Sequence, residues 1–476
     1  MLSLSLPNTI DQSKSMAIKG IINHFAFTPT PEQITALSKL NSFLHSNNSF
    51  FLLGGYAGTG KSSVIFAVVK ELILQSKRVG LTAPTNKAVG ILRKMAAANG
   101  LHHLSCQTIH QLLGLGLTNQ GKEKILDQVS PSSLHLYDVI FLDECSMVGM
   151  ELWQWLSQEF AGNLLNQRKL ILMGDPAQLN PVGEQRSPTF QVRPRATLTT
   201  IVRQAGDNPL LDLISVSRRM VKSKTKLFLP YSSYRQGDKL SGAFKVNNNT
   251  LIKHATRKIK RHFTNNPDCY RILCYTNKRV AYYNQIIREQ LYGKNSPQFV
   301  LGERLITKKP VVAPNGKTVI LPTSTEVTVT DISQTKHCGY RVWQLKVETD
   351  EGSVQQILTL HAQEYKRYQA ELDQKLKSAQ RNPYLWRKYY WWRDDVFAEV
   401  LNCFALTIHN SQGSTFDEGA IDGNDILTRL FVGDNESEQQ KRREHNRLWY
   451  VGSSRFRQRL LFIAPKENRI EQVLVA

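Results

Sequence analysis

Apolar runs of about four residues alternate with helix-like stretches between residues 34 and 190. This alternation is typical of a parallel sheet with crossover helices. Small, polar or acidic residues follow each run, and in open α/β sheets ligands bind at the carboxyl ends of the strands. We therefore predict an α/β fold with a functional site at that edge. The predicted strands are residues 50–53, 79–82, 139–142 and 170–173.

A second α/β block begins near residue 200 and is interrupted by a different kind of sequence. Short Val- and Thr-rich runs separated by turn sequences predict a small antiparallel barrel inside it. The predicted order is a strand at 271–275, a helix at 279–291, the barrel at 301–359, a polar helix at 361–380, an aromatic segment at 384–393 and α/β sequence again from 401.

The chain is long and strongly basic. Its 476 residues exceed the ~250–300 at which a single core stops growing, so two or more domains are expected. Sixty-one Lys and Arg against 39 Asp and Glu give a net charge of +22, which favours nucleic acid as partner. An anionic membrane surface and simple solubility are the alternatives.

No segment approaches the ~18 apolar residues of a membrane span, and the first residues lack a signal-peptide pattern. The six cysteines lack the CxxC spacing of a zinc site. We therefore expect no membrane partner and a reducing compartment, the cytoplasm of a bacterial or phage-infected cell.

A phosphate-binding loop is the strongest chemical signal. Residues 55–62 read GYAGTGKS, follow a predicted strand and precede a helical pattern. Backbone N–H groups of such a loop surround phosphate oxygens, while Lys61 reaches the β- and γ-phosphates and Ser62 ligates Mg²⁺. The candidate nucleotide-binding residues are Gly55, Gly58, Thr59, Gly60, Lys61, Ser62 and Ser63.

An acidic pair follows the third predicted strand. Mg²⁺ prefers a hard carboxylate ligand, and hydrolysis requires a base for the attacking water. We assign Asp143 to the metal and Glu144 to the water. Alone, such a pair equally suits a solvated turn; together with the phosphate loop it predicts an NTPase.

The acidic pair belongs to a series of six short motifs that occur in order along the chain. They are APTNKA at 83–88, DECSM at 143–147, GDPAQL at 174–179, VRQ at 202–204, TIHNSQGST at 407–415 and YVGSSR at 450–455. This series resembles the ordered motifs of superfamily-one helicases, most closely the 5′→3′ subgroup of the Dda and RecD types, and the resemblance spans residues 28–462. It implies ATP and Mg²⁺ as cofactors, and two RecA-like parallel-sheet motor domains with an inserted SH3-like β-barrel.

The resemblance implies further residues around the nucleotide. They are Gln33 for the adenine edge, Gln178 as a γ-phosphate sensor, Arg203 and Arg455 as arginines that neutralise charge from the second motor domain, and Gln412 with Gly413 as the link between nucleotide and nucleic acid.

The same matching implies a set of residues that contact the DNA strand. Their short hydroxyl and amide side chains suit phosphate contacts that do not read bases. Each also suits a cap or a turn. The candidates are Pro84, Thr85, Asn86, Thr108, His110, Thr276, Asn277, His409 and Ser411.

The sequence departs from the family pattern at three places. Asn410 stands where a lysine is usual, Cys145 where an alanine is common, and residues 452–454 read Gly-Ser-Ser where an Ala-Leu-Thr-like run is usual. Asn410 carries no charge, which puts one phosphate contact in doubt. The charged catalytic candidates are intact, so an active enzyme is expected.

Two further features have two interpretations each. The aromatic and basic residues of 384–393 suit a stacking platform for single-stranded bases, but a helix that packs the barrel onto the motor is the favoured interpretation. The basic run at 218–226 and the helix-spaced Lys253, Arg257 and Arg261 suit either DNA attraction or, preferably, a generic solvated face.

We therefore predict an ATP-driven 5′→3′ single-stranded DNA translocase and helicase that acts on forked duplex DNA. We expect a monomer, with single-strand-binding or replication proteins as candidate partners. The alternative is a nucleotide-switched clamp or remodelling ATPase that does not unwind, and a GTPase is a weaker one. The predicted domains are an N-terminal segment at 1–20, a first motor domain at 21–199 with a pin-like insertion at about 114–130, a second motor domain at 200–300 and 396–476, and the insert at 301–395.

Overall fold

The computed structural model divides into two compact units, which are described separately. The first comprises Met1–Gly116 and Gln128–Asp207, and the second Leu117–Asp127 and Asn208–Ala476. The described residues are 18–120, 123–161, 168–181, 183–202, 208–223, 225–235, 241–313, 318–433 and 436–466.

A parallel sheet of six described strands forms the centre of the first unit, in the order β3-β2-β6-β7-β1-β8. The four predicted strands lie within β1, β2, β6 and β7, so the predicted parallel α/β fold is confirmed. The strands up to residue 198 are β1 Phe50–Gly55, β2 Val79–Ala83, β3 Ser105–Thr108, β4 Leu115–Gln120, β5 Glu123–Gln128, β6 Val139–Leu142, β7 Lys169–Gly174 and β8 Arg195–Leu198.

Helices cover this sheet and bury one continuous core. Leu37 and Leu40 of α1, Val64 and Val68 of α2 and Phe51 of β1 are fully buried in it. Burial of each such side chain contributes about 1.5–3 kcal/mol. The helices are α1 Pro31–Leu44, α2 Lys61–Leu74, α3 Asn86–Ala98, α4 Ile109–Leu113 and α5 Met150–Ala161.

β4 and β5 form a separate two-stranded sheet at the position predicted for the pin-like insertion. Its role in separating strands stays a prediction.

The second unit contains another six-stranded sheet, in the order β19-β11-β20-β21-β10-β9. All its pairings are parallel except that of the edge strand β9. The second half of the chain contains α6 Leu210–Val221, β9 Ser233–Tyr234, β10 Gly242–Lys245, α7 Asn248–His262, β11 Tyr270–Cys274, α8 Asn277–Tyr292, β12 Arg304–Thr307, β13 Val311–Val312, β14 Val319–Leu321, β15 Glu326–His337, β16 Tyr340–Thr349, β17 Val354–Leu360, α9 Tyr365–Arg381, α10 Trp386–Tyr390, β18 Val400–Asn402, β19 Ala405–Thr407, β20 Phe416–Asp422, α11 Gly423–Leu427, α12 Glu438–Ser453 and β21 Phe456–Ile463.

The insert is antiparallel, as predicted. Its five described strands run in the order β17-β16-β15-β12-β18, and β13 and β14 pair separately. The name SH3-like stays a prediction. Because β18 pairs with β12, the sheet extends to residue 402, past the expected end at 395.

Buried ion pairs join the insert to the helix and strand of the second sheet that precede it. Glu326 of β15 accepts from Arg271 of β11 at 2.6 Å and from Arg304 of β12 at 3.0 Å, and Arg271 is fully buried. Arg288 of α8 pairs with the buried Glu303 at 2.7 Å. These buried ion pairs form the base of the insert, where it is attached to the second sheet and to α8.

The aromatic segment mostly packs within the insert. Trp386 and Tyr390 form a small core with Ala379 of α9, and Trp392 packs against Tyr340. These rings therefore pack internally, against α9 and the insert sheet, and packing of the barrel onto the motor by this segment stays a prediction. Tyr384, by contrast, is 93% exposed.

Among the described residues, the structure contains no helix that is both long enough and apolar enough to cross a membrane.

Candidate functional site

The phosphate-binding loop joins β1 to α2 and is shaped by glycine. Gly60 caps α2 in the left-handed conformation, with φ 81°. A Cβ on Gly60 would overlap the Gln33 amide nitrogen, and one on Gly55 would lie 2.8 Å from Lys61 Cγ. These positions therefore exclude side chains and leave the helix N-terminus open to an anion.

The side chain of Lys61 folds over this loop. Its ammonium donates to the carbonyls of Gly55 and Tyr56 at 2.6 and 3.1 Å. Thr59 is buried and donates to the same Tyr56 carbonyl, while Ser62 and Ser63 are half-buried in the first turn of α2. A phosphate would offer the Lys61 ammonium a stronger, charged acceptor than these carbonyls.

Gln33 lies beside the loop but is already engaged. Its carbonyl oxygen accepts from the Thr30 N–H at 2.9 Å, which completes the capping box of α1, and its amide donates to the Thr59 carbonyl at 3.3 Å. The side chain is fully buried. Adenine recognition by Gln33 therefore requires exchange of one of these bonds.

The acidic pair follows β6, two strands from β1 in the sheet. Burial raises the pKa of Asp143, opposed by the Glu144 N–H at 2.8 Å and the Lys61 charge. A cation beside Asp143 would favour its ionised form. Glu144 adopts the left-handed conformation with φ 54° and ψ 37°, which is strained for a residue with a side chain.

Gln178 and Cys145 are placed next to this pair. The amide oxygen of Gln178 accepts from the Ser146 hydroxyl at 3.1 Å, and both residues are buried. Cys145 is fully buried, and a Cβ on Gly174 would lie 2.6 Å from its Sγ. The small residue opposite it therefore accommodates the cysteine that departs from the family pattern.

Asp175 is a site residue that the sequence reasoning missed. Its buried carboxylate accepts from the N–H of Ala57 in the phosphate loop at 3.0 Å and from the Ala177 N–H at 2.8 Å. It therefore joins the loop after β1 to the segment after β7. The Gly-Asp-Pro sequence at 174–176 was the sequence feature that could have identified Asp175.

The predicted ligands Ser62 and Asp143 fit Mg²⁺ only where a bound nucleotide supplies further ligands. Among the described residues no group of three or more His, Cys, Asp or Glu side chains is arranged to hold a metal. Ser62 and Asp143 supply a hydroxyl and a carboxylate, and Mg²⁺ commonly completes its shell with substrate phosphates and water. These residues fit such an ion together with a nucleotide.

The second unit holds three of the other predicted nucleotide residues, Arg455, Gln412 and Gly413. Arg455 is buried and donates to the carbonyls of Val451 at 3.1 Å and Ser414 at 3.3 Å. The buried amide nitrogen of Gln412 has no hydrogen-bond partner within the described residues. Gly413 has φ 75° and turns the chain there. Arg203 lies outside the described residues.

The candidate DNA contacts of the first unit lie at the carboxyl edge of neighbouring strands. Pro84, Thr85 and Asn86 follow β2, and Ala83 of β2 pairs with Thr108 of β3. Thr85 caps α3 and accepts from the Ala88 N–H.

Thr108 and His110 are less available than their predicted role suggests. Thr108 is buried, and its hydroxyl donates to Gln111 at 3.1 Å. Burial lowers the pKa of His110, so its neutral form is favoured. Neither offers a charged group to the strand.

In the second unit Thr276 and Asn277 follow β11, and Asn277 is exposed. Asp425 of α11 accepts from the N–H groups of Tyr275 and Thr276 at 2.7 and 2.8 Å and from the Thr276 hydroxyl at 2.7 Å. The Thr276 hydroxyl also caps α8. Its proton is therefore committed to Asp425, another residue the sequence reasoning missed.

His409 and Ser411 follow β19, the neighbour of β11. Burial lowers the pKa of His409, which packs beside the Tyr275 ring. Ser411 is fully buried and donates to the Ile408 carbonyl at 2.8 Å. Ser411 therefore shapes the turn in this structure.

Comparisons with known proteins find similarity to several DNA helicases. Residues 29–225 match a family model described as an AAA domain. The chain is 24% identical to the ATP-dependent DNA helicase dda of Enterobacteria phage T4, covering 86% of this chain and 93% of that protein. It is also 24% identical to the uncharacterized protein R530 of Acanthamoeba polyphaga mimivirus, covering 87% and 96%.

A shorter match is 32% identical to the ATP-dependent RecD2 DNA helicase of Deinococcus radiodurans, over 38% of this chain and 22% of that protein. A solved structure on DNA unwinding at forked dsDNA by Pif1 helicases is similar in fold, with a TM-score of 0.50 and 15% identity over 94% of this chain and 96% of that one. With the ordered motifs already described, these matches show that the chain is similar to superfamily-one helicases of the Dda and RecD type, and that its fold resembles that of a Pif1 helicase.

Proposed function

We propose that the chain is an ATP-driven 5′→3′ single-stranded DNA translocase and helicase, and that it hydrolyses ATP in a cleft between its motor domains. The observation that carries the proposal is the carboxyl edge of the first sheet. The nucleotide candidates follow β1, β6 and β7, and DNA candidates follow β2 and β3. The two sets therefore share one rigid edge.

Two hydrogen bonds connect the sets at the boundary between β2 and β6. The Asp143 N–H donates to the Thr82 carbonyl at 2.9 Å, and the Thr82 hydroxyl donates to the Phe141 carbonyl at 2.9 Å. A shift of the acidic pair therefore moves the end of β2, where Pro84 to Asn86 begin. This supports coupling of the nucleotide state to the grip on DNA.

The chain's residues divide the hydrolytic work. Lys61 neutralises the phosphates, Glu144 accepts the proton of the attacking water, and Gln178 is held by Ser146 for γ-phosphate sensing. Arg203 and Arg455 neutralise charge in the transition state. ATP with Mg²⁺ supplies the transferable phosphoryl group and the energy of each step.

A relative supports the DNA substrate, and the motif resemblance supports the polarity. The T4 relative is named an ATP-dependent DNA helicase, and it aligns over nearly its whole length. The motifs of this chain resemble most closely those of the 5′→3′ subgroup. We therefore propose forked DNA with a 5′ tail as the substrate.

An unwinding assay on forked duplexes tests the proposal. The same labelled duplex is offered with a single 5′ tail, with a single 3′ tail and with both, and strand release is followed after addition of ATP and Mg²⁺. We expect release from the 5′-tailed and forked substrates alone, and none by Lys61→Ala. ATP-dependent DNA binding without release would instead indicate a clamp, and release from the 3′-tailed substrate would reverse the polarity.

A further inference from the structure

The helical hairpin formed by α9 and α10 carries concentrated positive charge. Residues 365–390 contain seven Lys and Arg against two Asp and Glu. Four cations near the turn, Lys377, Arg381, Arg387 and Lys388, are exposed. A surface of this kind attracts a polyanion.

An aromatic ring stands at the turn of this hairpin. The Asn382 side chain accepts from the Tyr384 N–H at 3.1 Å, and Pro383 opens the short turn Pro383–Leu385. Tyr384 is 93% exposed, whereas the nearby Trp386 is buried against α9. The fixed turn therefore presents the ring outward on backbone that has little freedom to lose on binding.

A groove lies beside the turn, between α9 and α10. Its volume is about 610 Å³, and Lys375, Lys388, Leu385 and Tyr389 line part of it. Glu371 also lines the groove, but its carboxylate pairs with Lys375 at 2.8 Å and accepts from the Tyr340 hydroxyl. The groove is within the ~300–1,000 Å³ range of small-ligand sites and can receive the part of a nucleotide that does not stack.

We propose that the hairpin turn is a second binding site for single-stranded DNA, separate from the motor's own track. An unpaired base stacks on Tyr384, and the adjoining phosphates pair with Arg381, Arg387 and Lys388. Single-stranded DNA fits better than duplex because only an unpaired base leaves its face open to an aromatic ring. The proposal rests on the proposed function only in that the chain acts on DNA.

Photo-crosslinking of the full chain tests this site directly. Oligo(dT) substituted with iodouracil is bound and irradiated, and the crosslinked peptides are identified by mass spectrometry. We expect crosslinks at Tyr384 in addition to crosslinks in the motor domains. Base–aromatic stacking contributes ~1–3 kcal/mol, so Tyr384→Ala should lower the hairpin yield about fivefold or more, while Tyr384→Phe retains it.

Tyr365→Ala is the matched control, because Tyr365 is a 53% exposed tyrosine at the other end of α9. It should leave the hairpin yield unchanged, and thermal melting checks that each variant is folded. Crosslinks confined to the motor, or an equal yield in Tyr384→Ala, would overturn the second site alone. More effective competition by blunt duplex than by oligo(dT) would assign the turn to duplex instead. No crosslink anywhere would overturn the proposed function as well.

Discussion

Asp143 and Glu144 are adjacent but differ in their local structure. The Asp143 carboxylate accepts a hydrogen bond from the Glu144 N–H at the end of β6, whereas Glu144 has a left-handed backbone. A conservative amide substitution at each residue tests the different tasks proposed for the two carboxylates.

Glu144→Gln should bind ATP and DNA normally but hydrolyse ATP about 10²–10⁴-fold more slowly, since an amide cannot accept the proton of water. Asp143→Asn should instead raise the Mg²⁺ concentration needed for nucleotide binding. Steady-state ATPase rates and titration with a fluorescent nucleotide measure the two effects. Loss of binding in Glu144→Gln with hydrolysis kept in Asp143→Asn would reverse the assignment.

His445 on α12 predicts a pH dependence of stability. The residue is fully buried, and burial lowers its pKa from 6.5 to about 4. Its stabilising effect is complete above pH 6.5, and as the pH falls from there towards 4 the unfolded state gains protons that the folded state does not bind. Between pH 7.5 and 5.5 this lowers the free energy of unfolding by about 1 kcal/mol.

Denaturant unfolding of wild type and His445→Gln at the two pH values measures this contribution. The variant starts from a different stability, but its change between the two values should be smaller by that amount. An identical change in both proteins would show that other groups cause the dependence.

The positions of Lys61 and the acidic pair just after β1 and β6 were predictable, because apolar strand patterns precede both motifs in the sequence. Asp175 and Asp425 were not, because each acts on backbone N–H groups that lie 118 and 150 positions away along the chain. The Thr276 hydroxyl illustrates the same gap. Its residue type suits a phosphate contact, but only the fold shows that Asp425 takes its proton.

The strand β15 is attached to the second sheet through Glu326, whose carboxylate pairs with both Arg271 and Arg304. Replacement of Glu326 leaves the fully buried Arg271 without this carboxylate, whereas Arg304 keeps its pair with Asp350 at 2.6 Å. Breaking a buried pair costs about 3–5 kcal/mol, whereas an exposed pair contributes only ~0–1 kcal/mol. The insert sheet contains both a buried and an exposed ion pair.

Glu326→Gln should therefore lower the free energy of unfolding by about 3–5 kcal/mol. Asp331→Asn is the control, because Asp331 also lies on β15 and pairs with Lys346 of β16 at 3.8 Å, with both side chains more than half exposed. It should cost no more than about 1 kcal/mol. Chemical unfolding compares the two, and equal losses would show that the shared carboxylate does not stabilise the insert's base.

The helices and strands of the motor sheets follow from apolar runs with caps and glycines, and β1, β2, β6 and β7 lie within two residues of their predicted bounds. β18 was missed because three residues, Val-Leu-Asn, carry too little pattern to show which sheet they join. Its assignment depends on pairing with β12, about 95 residues earlier.

The residues proposed to bind and hydrolyse the nucleotide all lie outside the insert. A variant that replaces residues 301–395 by a short Gly/Ser linker should keep DNA-stimulated ATPase and lose most duplex unwinding, since the flexible linker cannot transmit motor closure to the strands. Arg271→Leu and Arg288→Leu are added, because both arginines otherwise lose their buried partners.

ATPase and unwinding are measured on one folded preparation, with the double Leu variant of the intact chain as control. Unwinding per ATP equal to the control would show that the insert is dispensable. Loss of ATPase in a folded protein would show that it supports the motor domain.

The order of strands in the second sheet also has a consequence for synthesis of the chain. β10 and β11 are made first, but β11 pairs with β19 and β20, and β10 pairs with β21, all of which follow the insert. On the ribosome the second sheet therefore cannot form until the insert has been synthesised. The antiparallel hairpins of the insert have their partner strands within a few residues, so the insert folds earlier. Once β18 pairs with β12, the folded insert brings β11 and β19 close together in space before the second sheet forms.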